Sequence, residues 1–124
     1  MSGASDEQRG DFLQVQRRTA DEATVVQVAG ELDLVTNPRL VDELNAAREQ
    51  VTPPGPLVVD LTGVTFMASV GLGTLVEHSR LCRDADVELR VVAGNRTVRR
   101  AISLTGLDDL LSVFPTLAEA LAPS

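Results

Sequence analysis

Apolar positions change their period several times along this chain, and each change marks an element. Phe12 and Val15, and then Thr24-Val25-Val26-Gln27-Val28, read as two strands joined by a turn at Ala20-Asp21-Glu22-Ala23. Gly30 is expected to end the second strand. Asn37-Pro38 predicts a helix start, with Asn as N-cap and Pro at the first helical position, where its missing N–H costs nothing. Leu40, Val41, Leu44, Ala47 and Val51 follow at spacings of one, three and four, lining one helix face. Pro53-Pro54-Gly55-Pro56 stops that helix.

Leu57-Val58-Val59-Asp60-Leu61 is a short, nearly continuous apolar run, the pattern of a central strand covered on both faces. A loop is expected from Thr62 to Ala68, then a helix from Val70 to about Cys82 with Leu72, Leu75, Val76 and Leu81 inward. Val87 to Val92 reads as the next strand. Asn95 or Thr97 opens a third helix carrying Val98, Ala101, Ile102 and Leu104, and Gly106 is placed as its C-cap. Leu110 to Phe114 forms a last strand, and Thr116-Leu117-Ala118-Glu119 is a capping box for a terminal helix. The order ββαβαβαβα predicts an α/β domain of about four helices with a small mixed, mostly parallel sheet and an N-terminal hairpin. Residues 1–10 lack any period and read as a disordered tail, leaving the domain at 11–122.

Length and charge then narrow the function. A chain of 124 residues makes one domain, and no apolar stretch approaches the ~18 residues of a membrane span. The start has no basic region followed by an apolar one, so a cytoplasmic protein without membrane insertion is expected. Eleven basic against eighteen acidic residues give a net charge of −7, which opposes binding to nucleic-acid phosphates. One cysteine, Cys82, excludes an internal disulfide, and one histidine, His78, excludes a multi-histidine metal site. No nucleophile–base pair, metal cluster or phosphate-cradling loop is legible, so neither catalysis nor a cofactor is expected. Asp60 is read as an acceptor that holds its loop, His78 with Cys82 as a helix pair, and Arg96, Arg99 and Arg100 as a solvated face.

The informative stretch runs from Asp60 to Gly73, leaving a buried strand and entering a helix, where open α/β sheets place binding sites. Ser69 is the expected N-cap, and Gly71 and Gly73 so early in a helix suggest close approach of another backbone. Gly30-Glu31-Leu32-Asp33 lies at the same end of the sheet. Together with Phe66-Met67-Ala68-Ser69-Val70-Gly71-Leu72-Gly73, Val91-Val92-Ala93-Gly94-Asn95, Val98-Arg99-Arg100 and Thr105-Gly106-Leu107, this order resembles the STAS domain of bacterial anti-sigma factor antagonists. The resemblance covers roughly residues 12–122.

That resemblance implies a small sheet flanked by helices and a partner, an anti-sigma factor that is often a serine kinase of the histidine-kinase-like ATPase type. Partner contacts are implied at Glu31, Asp33 and Thr36, at Ser69, Val70, Gly71, Leu72 and Gly73, and at Asn95. In similar antagonists the helix start reads Asp-Ser-Ser/Thr-Gly-Leu-Gly, and the hydroxyl before the first glycine is phosphorylated. Here that position is Val70 and the aspartate is Ala68; Ser69 is the neighbouring serine and the remaining phosphoacceptor candidate. A phosphate would add a charge of about −2 to the interface, so its absence predicts that conventional switching is lost or altered. Two other readings stay open: an accessory subunit of a membrane lipid-transport ATPase assembly, and a sensory module binding a nucleotide or other small ligand.

Overall fold

Strand pairing begins with the hairpin. The computed structural model describes residues 12–123, and in it β1 (Leu13–Ala20) and β2 (Ala23–Leu32) run antiparallel about a tight turn at Asp21 and Glu22. β3 (Leu57–Met67), β4 (Leu89–Val92) and β5 (Ser112–Phe114) add in parallel, giving the sheet order β1-β2-β3-β4-β5. The crossovers are α1 (Asn37–Gln50), α2 (Ser69–Asp84) and α3 (Arg96–Leu104) with a 3-10 turn at Leu107–Asp109, and α4 (Leu117–Leu121) follows β5. The tail expected at residues 1–10 lies outside the described residues.

Alternate strand residues point to opposite faces, and both faces here hold a core. Val26, Val28, Leu57, Val59, Leu61 and Val91 join Leu40, Leu44, Leu75, Val98 and Ile102 beneath α1, α2 and α3. Val25, Val58 and Val92 form a smaller cluster with Ala120 of α4. This two-sided burial explains the unbroken apolar run in β3.

Several boundaries differ from the sequence expectation. Gly30 does not end β2, which continues to Leu32. It takes φ +108° at a shift of register between β2 and β3, and a Cβ there would lie 2.2 Å from the Phe12 carbonyl oxygen. The same irregular pairing draws Gly63 to Met67 into β3, where a loop was expected. Thr36, not Asn37, is the N-cap of α1; Asn37 is buried inside the first turn, its Oδ1 accepting from the Thr74 hydroxyl at 3.0 Å. Ser69 is the first residue of α2 rather than its cap, because Ala68 takes that position, its N–H bonded to the Leu32 carbonyl at 2.8 Å. β4 starts at Leu89 rather than Val87, and β5 is confined to three residues because the chain before it coils into the 3-10 turn. Gly106 takes φ +73° one residue beyond the Thr105 cap of α3. Thr116 caps α4 as the capping box predicts, accepting from the Glu119 N–H at 3.1 Å.

Candidate functional site

Two strand-to-helix junctions emerge side by side at the C-terminal end of the parallel strands. In the β2–α1 junction, Asp33 Oδ1 accepts from the N–H groups of Val35 and Thr36, each at 2.9 Å. The Thr36 hydroxyl donates to the Glu31 carbonyl at 2.7 Å and accepts from the Asp33 N–H at 3.0 Å. The Thr36 N–H, foremost, holds the Asp33 carboxyl below its ordinary pKa, and the Val35 N–H adds to the effect. The turn so bonded lifts Leu34 and Val35 into solvent at 78% and 80% exposure. Glu31 is exposed and Asp33 half-buried. Thr36 is buried, and its hydroxyl serves the turn.

The β3–α2 junction is held without a side-chain cap. Ser69 and Gly73 are exposed and Val70 is half-buried, whereas Gly71 and Leu72 lie under the chain's own atoms. The shoulder expected at 69–73 is therefore narrower than its sequence span, since successive helical residues rotate by about 100° and carry Gly71 and Leu72 toward the sheet. Close backbone approach does not account for the two glycines. A Cβ at Gly71 would meet the Met67 side chain at 3.4 Å and the Leu32 Cβ at 3.5 Å, and one at Gly73 would meet open space. Gly73 also floors a shallow depression between α1 and α2 that Val41, Val70 and Thr74 line.

Backbone pairing joins the two junctions. Glu31 lies beside Phe66 and Leu32 beside Met67 in the parallel ladder. Phe66 is half exposed, so it stands with Leu34 and Val35 among the apolar groups at this end of the sheet. Sequence reasoning missed all three. Leu34-Val35 carried a signal, two consecutive apolar residues inside a short connection between strand and helix, where polar turn residues are usual.

Asn95 sits at the edge of this site but works inward. Its Oδ1 accepts from the Val98 N–H at 2.9 Å, capping α3, while its Nδ2 donates to the carbonyls of Thr62 and Val64, both at 2.8 Å. It thus staples the irregular part of β3 to α3. Asp60 Oδ1 accepts from the Thr62 N–H at 3.0 Å. Arg96, Arg99 and Arg100 are exposed on α3.

Reactive chemistry finds little purchase. Burial, foremost, lowers the pKa of His78, and the charge of Arg48 adds to the effect; the ring's Nδ1 accepts from Arg48 Nε at 3.3 Å. Burial likewise raises the pKa of the Cys82 thiol and holds it as the unreactive acid. Among the described residues no group of three or more His, Cys, Asp or Glu could hold a metal ion, and no helix is long and apolar enough to cross a membrane.

The family model described as STAS domain matches residues 14–120. The anti-sigma-F factor antagonist RsfA of Mycobacterium tuberculosis is 34% identical over 102 residues, spanning 82% of this chain and 80% of that protein. The anti-sigma-B factor antagonist of Staphylococcus aureus is 34% identical over 101 residues, spanning 82% and 92%. A crystal structure of an anti-sigma factor antagonist from Mycobacterium paratuberculosis superposes with a TM-score of 0.82 at 37% identity, covering 90% of this chain and 92% of that one.

Proposed function

The chain belongs to the STAS domain family, and from that premise we propose that it is an anti-sigma factor antagonist, binding an anti-sigma factor and so freeing a sigma factor. The partner is of the serine-kinase, histidine-kinase-like ATPase type, and the encounter takes place in the cytoplasm. Its relatives' names support the class of activity; one observation on this molecule supports the place. The hydrogen-bonded Asp33–Thr36 turn exposes Leu34 and Val35 at the end of β2, and the half-buried, uncharged Val70 follows the adjacent strand β3. Adjacent exposed aliphatic side chains on a well-bonded turn are unfavourable in water and mark a contact surface.

The site works by shape and neutrality. Glu31 and Asp33 place negative charge at its edge, which favours a partner with a basic border. Val70 stands where similar antagonists carry the hydroxyl that is phosphorylated, so a kinase partner meets no acceptor there. Ser69 is one position earlier and points about 100° away around the helix. The protein is therefore held permanently competent to bind.

Calorimetric titration of the full chain with its anti-sigma factor tests this reading. Val70→Asp, which introduces the charge a phosphate would bring, is expected to weaken binding by about 100-fold or more while the circular dichroism spectrum stays unchanged. Unchanged affinity would move the contact surface elsewhere, and stoichiometric phosphate on Ser69 after incubation with the kinase and ATP would refute permanent competence.

A further inference from the structure

The face of the sheet away from α1 and α2 is only half covered. α4 shields the row that contains Val25 and Val58. The next row outward aligns Gln16 of β1, Gln27 of β2 and Asp60 of β3 side by side across three strands. Gln14 lies one step further along, opposite Ala29, and Thr62 and Gly63 complete a concavity of about 360 Å³. That size is within the usual range of small-molecule sites.

Asp60 gives this concavity its chemistry. Its side chain accepts one hydrogen bond, from the Thr62 N–H to Oδ1, and among the described residues no ion pair reaches it. No buried side-chain oxygen among the described residues lacks a partner, so Oδ2 stays open to the concavity and free to accept from a ligand. Gln14 and Gln16 are exposed and Gln27 is half-buried, so their side-chain amides, which offer both donors and acceptors, line the open side of the concavity. No arginine lines the concavity, and the chain as a whole carries −7, so the local and the long-range field both favour a cation. The single carboxylate among neutral amides falls short of the oxygen-rich cage a hard metal ion requires.

We propose that this concavity binds a small organic cation, an amine or guanidine, with its charged nitrogen on Asp60 and its other N–H groups on the glutamine carbonyl oxygens. The site lies on the sheet face rather than at the β2–α1 and β3–α2 junctions, and it does not depend on the anti-sigma reading.

Titrating the isotopically labelled full chain with agmatine, followed by NMR, tests the proposal. Saturable shifts are expected at the side-chain amides of Gln14, Gln16 and Gln27 and at the Thr62 N–H. Asp60→Asn keeps an acceptor for Thr62 while removing the charge, and should weaken agmatine binding about tenfold or more. Gln27→Leu, which leaves the Asp60–Thr62 bond untouched, should weaken it several-fold. The proposal is overturned if no saturable shift occurs, if sodium chloride at equal ionic strength reproduces the shifts, or if Asp60→Asn binds as well as the parent protein while retaining its spectrum.

Discussion

The two junctions at the C-terminal end of the parallel strands solve the same problem by opposite means. Between β2 and α1, polar groups of the chain itself do the fixing: Asp33 and Thr36 satisfy backbone donors and acceptors within one turn, which leaves the apolar Leu34 and Val35 outside. Between β3 and α2, packing does the fixing: Gly71 and Leu72 go inward against Met67 and Leu32, and the surface keeps Ser69, Val70 and Gly73. The first junction projects apolar side chains, and the second leaves only small or uncharged groups beside a shallow depression. On the proposed function, a partner fitted to both meets a projection beside a neutral surface.

The largest effect expected on the fold comes from Gly30→Ala, in the strand that feeds the first junction. Its positive φ and the carbonyl of Phe12 in the space of a Cβ should cost about 3 kcal/mol in urea unfolding. A loss below about 1 kcal/mol would mean that the register shift is not what glycine serves there. Next comes Asn95→Ala, which removes the α3 cap and the donors to β3 beneath the second junction. About 2 kcal/mol should be lost, and an unchanged midpoint would show that packing alone holds that end of β3.

Leu34→Ala combined with Val35→Ala sharpens the contrast between stability and recognition. The unfolding midpoint should move by no more than about 0.5 kcal/mol, while affinity for the anti-sigma factor falls about tenfold or more. Equal affinity would leave the projection without a role. The smallest effect is local and depends on pH. The native Asp33 carboxyl has a lowered pKa, so its support for the turn is complete above the unfolded carboxylate value and is lost as pH falls through the lower native value. Protection of the Val35 and Thr36 amides, measured against their intrinsic exchange rates, should fall over that acidic window, and Asp33→Asn should remove that fall.

Local signals specified a good deal of this molecule. The periods of two and of three to four residues placed five strands and four helices in order, and their alternation implied a parallel sheet, because side-chain direction follows directly from chain geometry. Asn95 and Thr116 announced the helices they cap, since a cap is a contact between residues three apart. The family's motif order pointed to the C-terminal end of the parallel strands, and the resemblance implied that Val70 stands in place of a hydroxyl.

Tertiary structure decided what spacing cannot encode. Gly30 looks like a strand end in one dimension, but pairing with β3 on one side and β1 on the other carries the strand through it. Ser69 looks like a cap, yet the bond from Ala68 to Leu32 shifts the helix start by one residue. Leu72 lies within the core, and Leu34, Val35 and the row Gln16–Gln27–Asp60 acquired meaning only when the sheet assembled. Exposure depends on which other segments arrive, and those contacts form between residues tens of positions apart, beyond the reach of any local period.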